Sequence, residues 1–145
     1  MRIVFDIDGT LSDPTLRLHH ITGERKDWDA FFAACVGDAP ISPGLDLLGM
    51  FDREMRHDVQ LWTGRPERTR KATVYWIHCH TGLTELDYFL RMRADGDHRP
   101  DHIVKLEYLD ACQFVPDIIF EDRKSVVDAY RARGLTVYQV APGEF

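Results

Sequence analysis

Residues 1–10 read Met1-Arg2-Ile3-Val4-Phe5-Asp6-Ile7-Asp8-Gly9-Thr10, an apolar run that ends in two carboxylates one residue apart. Ile3, Val4 and Phe5 are the β-branched and aromatic residues of a short strand buried on both faces, and Gly9 permits a sharp turn after it. The two acids are therefore expected at the carboxyl end of a strand, where the loops of an open α/β sheet line a ligand crevice. Side chains at i and i+2 of an extended chain point the same way, so Asp6 and Asp8 repel each other unless a shared proton or a cation intervenes. A hard divalent ion such as Mg²⁺ suits such a pair.

The pattern of apolar strand, polar tip and helix repeats along the chain. Val59-Gln60-Leu61-Trp62 forms a second strand that runs into Thr63-Gly64-Arg65-Pro66-Glu67. The turn into the following helix is expected at Thr63-Gly64, with Pro66 in the first helical turn, where its missing N–H costs nothing. A hydroxyl and free backbone N–H groups at such a turn make a phosphate cradle. Residues 88–93 read as a third strand at a sheet edge, and Asp101 as the N-cap of a helix that carries Lys105 one turn in. Asp117-Ile118-Ile119-Phe120-Glu121-Asp122-Arg123 reads as a fourth strand ending, like the first, in paired acids. A helix stopped by Gly134 and a fifth strand at 135–140 complete the series. The alternation predicts an α/β fold, a Rossmann-like parallel sheet of about five strands with helices on both faces.

Between the first two strands, residues 12–26 are polar and irregular and are expected as a loop overhanging the site, from which Arg17 and His19 can reach a ligand. From Asp27 a helix places Trp28, Phe31, Phe32 and Cys35 on one side as a packing face. Pro43-Gly44 opens another, with Leu45, Leu48, Met50, Phe51 and Met55 at helical spacing. The whole reads as a single domain of 145 residues with a small helical cap at about residues 12–58.

Composition narrows the classes further. With 44% hydrophobic and 29% charged residues the chain is an ordinary globular one, and no stretch is apolar for long enough to span a bilayer. The apolar run after Arg2 stops at Asp6, short of a secretory signal. Cys35, Cys79 and Cys112 are odd in number and widely spaced, as expected of reduced thiols in a cytoplasmic protein. A net charge of −6 argues against a protein that coats nucleic acid electrostatically, though not against one that grips a strand end through a local basic pocket. His78-Cys79-His80 project in different directions from a helix and do not converge on one ion.

Asp6-Ile7-Asp8-Gly9-Thr10 matches D-x-D-G-T, the first motif of the haloacid dehalogenase (HAD) phosphatase superfamily, and the chain resembles in particular the 3′-phosphatase domain of bacteriophage polynucleotide kinase/phosphatase. The resemblance implies a central first strand flanked by the second and fourth. It makes Asp6 the nucleophile that forms an aspartyl-phosphate and Asp8 the general acid/base. Thr63 matches the Ser/Thr of the second motif, and Thr63-Gly64-Arg65 resembles the polynucleotide phosphatase, in which that Arg contacts the scissile phosphate. Lys105 matches the lysine that neutralises the phosphoryl group and holds the nucleophile. The run from Gly96 to Lys105 resembles G-D-x-R-x-D-x-x-V-K, which brings Asp101 into the substrate-binding set with Gly64, Arg65, Arg17 and Arg123.

The fourth motif supplies acids for the Mg²⁺ shell together with Asp6 and Asp8. Here Glu121 stands where the phage enzyme has Asp, so Asp122 is taken as a direct ligand and Glu121 as one that reaches the ion through water or as an alternative. The implied protein is a Mg²⁺-dependent phosphomonoesterase. Its substrate is the 3′-phosphate of a nucleic acid end or, alternatively, a free nucleotide or another small phosphate ester; a third reading is a module that binds a phosphorylated end or a partner without turnover. No G-x-x-x-x-G-K-[ST] loop occurs in these residues, so the 5′-kinase activity is not assigned.

Overall fold

The structure, a computed structural model, describes residues 1–53 and 57–143; Met55 of the expected second helix and the last two residues lie outside them. In chain order the elements are β1 (Arg2–Phe5), β2 (Ser12–Asp13), a 3₁₀ turn at Thr15–His20, and α1 (Trp28–Ala33), which a 3₁₀ turn at Ala34–Gly37 continues. Then come β3 (Ala39–Pro40), α2 (Ser42–Arg53), β4 (Asp58–Pro66), a 3₁₀ turn at Glu67–Thr69 that leads into α3 (Arg70–Thr81), and β5 (Phe89–Arg93). The chain closes with α4 (Asp101–Asp110), β6 (Ile118–Glu121), α5 (Lys124–Ala132) and β7 (Val137–Gln139).

Five strands form a parallel sheet in the order β5-β4-β1-β6-β7, with the first strand central and its neighbours as the resemblance implied. Successive residues of β1 serve opposite faces. Ile3 and Phe5 join Leu48, Leu61, Trp76 and Ile77 in one core, while Val4 joins Trp62, Ile119, Val126, Val127 and Tyr130 in the other. Each large side chain so enclosed contributes about 1.5–3 kcal/mol, which is why a four-residue strand can anchor the sheet. Register then places the site: Phe5 lies opposite Leu61 on one side and Phe120 on the other, so Asp6, the Trp62-Thr63 step and Glu121 reach one edge of the sheet together.

Three local expectations are corrected. β4 does not turn at Thr63-Gly64 but runs on to Pro66, which is extended (φ −72°, ψ 153°) and precedes the 3₁₀ turn. Pairing with β5 as far as Pro66 opposite Arg93, across a register shift after Trp62, outweighs the preference of proline for a first helical turn. Asp101 is the first helical residue rather than the cap; Pro100 precedes the helix, and the Asp101 carboxylate is taken by Arg93 at 2.7 Å. Residues 12–26 are not wholly irregular, since β2 pairs antiparallel with β3 through Ser12 opposite Pro40 and Asp13 opposite Ala39. A two-residue strand is too short for period-two alternation to show.

Asp27 does cap α1, its carboxylate accepting from Ala30 N at 2.9 Å. No helix among the described residues is long and apolar enough to cross a membrane, and Cys35, Cys79 and Cys112 are free thiols.

Candidate active site

A crevice of about 320 Å³ opens at the carboxyl ends of the strands, lined by Asp6, Asp8, Gly64, Arg93, Asp101, Asp122 and Arg123 from the sheet side and by Trp28, Phe31 and Phe32 from α1. Two charged centres underlie it. In the first, Lys105 projects from one turn inside α4 and its Nζ lies 2.6 Å from Asp6 Oδ1 and 2.7 Å from Glu121 Oε2, all three side chains nearly sealed from solvent. Burial and the Glu121 charge push the Asp6 carboxyl well above its ordinary value despite Lys105. Burial likewise takes Glu121 up to about 7 and, with the Asp6 charge, Asp122 to about 6. Burial alone would lower the Lys105 ammonium, but Asp6 and Glu121 outweigh it and raise it. One lysine thus faces more negative charge than it can neutralise.

In the second centre, Asp8 Oδ1 accepts from Arg65 Nη2 at 2.5 Å, Arg17 Nη2 at 2.6 Å and the Ser12 hydroxyl at 3.1 Å. Burial pushes the Asp8 carboxyl up, yet Arg65 and Arg17 prevail and hold it at about 2. Both guanidiniums also bind Asp38, Arg17 through Nε at 2.8 Å and Arg65 through Nη2 at 3.0 Å. Two carboxylates and two guanidiniums so arranged form a balanced buried cluster, the condition under which such charges are tolerated.

This placement differs from the expectation for the two arginines. Arg65 is wholly buried and Arg17 is 2% exposed. They support Asp8 from beneath the crevice instead of lining it. Arg17 also donates to Phe31 O at 3.4 Å, and Arg65 Nη1 to the Thr73 hydroxyl at 3.3 Å. A lysine in place of Arg65 cannot span Asp8, Asp38, Ser12 and Thr73 at once. Arg65→Lys is expected to lower the thermal midpoint by several degrees, since unmade buried hydrogen bonds cost about 1–3 kcal/mol each. A melting scan in which Arg65→Lys matches wild type would contradict this supporting role.

Other expected residues fall as follows. Thr63 is buried, its hydroxyl accepting from Arg65 N at 3.2 Å and its carbonyl from the Tyr108 hydroxyl at 3.2 Å; Gly64 is the residue that lines the crevice. A Cβ on Gly64 would overlap Asp101 Oδ1, and one on Gly9, already at φ +88°, would overlap Asp122 Oδ2. The left-handed backbone of Gly9 excludes a side chain outright, whereas a side chain at Gly64 would require the Asp101 carboxylate to shift. Asp101 gathers three cations, Arg93 at 2.7 Å, Arg123 at 3.5 Å and Lys105 at 3.7 Å. Burial opposes ionisation of Asp101, but Lys105, Arg123 and Arg93 hold its carboxyl below the usual range. His19 points to the carbonyl of Leu16 and does not line the crevice.

A divalent ion fits this donor set. Asp6, Glu121 and Asp122 each offer an oxygen within 4.8 Å of one another, and Asp122 Oδ2 is buried with no hydrogen-bond partner. Glu121 is already spoken for, Oε2 by Lys105 and Oε1 by Arg123 N at 3.1 Å. The Asp8 side chain, expected among the ligands, is absent from this acidic group among the described residues, because the two arginines hold its carboxylate elsewhere. Sequence reasoning missed Asp38 and Ser12 altogether. Ser12 reaches Asp8 through the tight turn after β1, whereas Asp38, an acid after a 3₁₀ turn and more than twenty residues from Arg17 and Arg65, carries no local signal and is brought to them by the β2–β3 pairing.

Residues 1–145 match the family described as the polynucleotide kinase PNKP phosphatase domain. A chain of the Pnkp1/Rnl/Hen1 RNA repair complex and a chain from a second structure of a Pnkp1/Rnl/Hen1 complex are similar in structure. One is 28% identical with a TM-score of 0.76, over 99% of this chain and 43% of that one. The other is 26% identical with a TM-score of 0.78, over 99% of this chain and 47% of that one. This chain thus spans less than half the length of either. The haloacid dehalogenase-like hydrolase SP0104 from Streptococcus pneumoniae shares the fold at 16% identity, with a TM-score of 0.65 over 98% of this chain and 85% of that one.

Proposed function

Because the chain belongs to the polynucleotide kinase PNKP phosphatase domain family, and so is a HAD phosphatase, we propose that it removes 3′-phosphates from nucleic acid ends through a Mg²⁺-dependent aspartyl-phosphate mechanism. The observation that carries this reading is the Asp6 carboxylate on the crevice floor, backed by the buried Lys105, with the unpartnered Asp122 oxygen in the same lining. The similarity to chains of an RNA repair complex supports a nucleic acid end as substrate.

In this reading Asp6 attacks phosphorus and the ester oxygen leaves. The Lys105 ammonium, 2.6 Å from Asp6 and behind it, offsets part of the burial that raises the Asp6 carboxyl, while Arg93 and Arg123, held by Asp101 at the crevice wall, meet the phosphoryl oxygens. Gly64 admits the phosphate beside bare backbone. Asp6 and Asp122 would hold the Mg²⁺, with Glu121 fixed by Lys105 behind them. When bound, the ion supplies charge neutralisation of the transferring group.

Asp8 stands over the same space, but two guanidiniums make it a poor store for a proton at neutral pH. The proton given to the leaving oxygen therefore comes in with the substrate, since a phosphomonoester keeps one below about pH 6. Asp8 relays it and then activates water against the aspartyl-phosphate. A pH–rate profile is expected to show kcat/KM falling above about pH 6. A rate that climbs steadily to pH 9 would reject the relay.

Phosphate release from a 3′-phosphorylated oligonucleotide, a 5′-phosphorylated one and a nucleoside 3′-monophosphate tests the reading directly. The 3′-phosphorylated oligonucleotide is expected to give the highest kcat/KM, with activity lost in EDTA and restored by Mg²⁺. Faster turnover of the mononucleotide makes the enzyme a nucleotidase, and full activity in EDTA removes the metal.

A further inference from the structure

The crevice has a wall that the phosphate chemistry leaves unused. α1 brings Trp28, Phe31 and Phe32 into the space lined on its other side by Asp6 and Asp8. The Trp28 and Phe32 rings are stacked, 5.9 Å apart at 27°, and Phe31 stands edge-on to both, 5.7 Å from Trp28 and 5.2 Å from Phe32. The three rings do not share one task. Phe31 is buried under the Arg17 guanidinium, 4.2 Å above its ring, and so ties the wall to the cluster that holds Asp8.

Trp28, in contrast, is 40% exposed, with the Lys26 ammonium 5.9 Å from its ring centre. An indole facing water in a crevice leaves uncovered the apolar area that usually drives its burial. The next residue, Asp29, is paired with Arg68, and both line the crevice. The sequence pattern suggested a packing face; the structure makes part of that face a lining.

A ligand that satisfies both sides at once carries a phosphate monoester for the side lined by Asp6, Arg93 and Arg123 and a flat aromatic group for the wall. At about 320 Å³ the crevice is of the size that encloses one small unit of a ligand. A nucleotide has both features; a sugar phosphate or a phosphoserine peptide has only the first. We infer that the Trp28–Phe32 pair is the stacking platform for the base of the nucleotide that bears the scissile phosphate. The inference rests on the proposed phosphatase reading and narrows its substrate. It also predicts tolerance of base identity, since every base offers a π-face and no polar side chain is needed to read its edge.

The test compares four substrates in two pairs. One pair is a 3′-phosphorylated oligonucleotide with a normal terminal base and the same oligonucleotide with an abasic terminal residue. The other is a nucleoside 3′-monophosphate and the corresponding base-free deoxyribose 3-phosphate. Wild-type protein is expected to favour the base-bearing member in kcat/KM by about five- to hundredfold, the range of base–aromatic stacking, mostly through KM. In Trp28→Ala that ratio should fall to near one, and in Trp28→Phe, which keeps a ring, most of it should remain. Melting scans confirm that both variants fold.

A wild-type ratio near one, or an unchanged ratio in Trp28→Ala, overturns the platform. If only the mononucleotide pair is turned over, the polymer substrate is wrong while the ratio within that pair still decides the wall. Protein that hydrolyses none of the four defeats both readings.

Discussion

Asp6→Asn is expected to abolish phosphate release, by at least about 10⁴-fold given the losses that follow removal of a covalent nucleophile, and at the same time to raise the thermal midpoint of the metal-free protein. The two effects have one cause. Asp6, Glu121 and Asp122 crowd around a single lysine, and burial and repulsion raise all three carboxyls. A carboxyl whose folded pKa lies above its unfolded value costs stability once pH rises through the folded value. Asparagine removes that cost, and its amide oxygen can still accept from Lys105. The site is thus a place where stability is given up for chemistry. Mg²⁺ should raise the midpoint of wild-type protein, by binding only the folded state, and raise that of Asp6→Asn less. Melting scans with and without Mg²⁺, run beside phosphate release, read both effects. Residual turnover near wild type in Asp6→Asn would exclude the covalent route.

Lys105→Met keeps the length of the side chain and removes its charge, and it is expected to be the most damaging single change to the fold within the site. It leaves Asp6, Glu121 and Asp101 without their shared cation, which lies 2.6, 2.7 and 3.7 Å from them. Breaking a buried pair by removing one partner costs about 3–5 kcal/mol, a fall in midpoint on the order of 10 °C for a domain of this size.

The loss also has a pH signature. Glu121 and Asp122 are raised to about 7 and about 6 even with Lys105 present. Without it they rise further, so Lys105→Met should be much less stable than wild type at pH 8 and regain ground as pH falls and these groups take up protons. Phosphate release should fall by about 10²- to 10³-fold, the scale of losing one charge-stabilising donor. Mg²⁺ should restore part of the midpoint and little of the rate. A variant as stable as wild type at pH 8 would mean that the carboxylates do not depend on Lys105.

Sequence alone determined the elements that are self-evident from composition and period. Ile3-Val4-Phe5 had to be a doubly buried strand, Glu121-Asp122 had to stand at the tip of another, and alternation of strand and helix required a parallel sheet. The strand-tip acids Asp6, Glu121 and Asp122 were legible for the same reason, whereas the strand order and the part played by Lys105 were expected only from the family resemblance. What folded structure alone decided is the second centre and the wall. Arg65 follows a strand and is followed by proline, and nothing local says that β4 continues to Pro66 and buries the guanidinium under Asp8. Asp38 meets Arg17 and Arg65 only because a two-residue strand pair folds the segment back on itself. Trp28 and Phe31 share a helical stripe that, by period, could only be called core; whether a stripe meets the interior or a crevice depends on what stands opposite. That is a property of packing between distant segments, which no window along the chain contains.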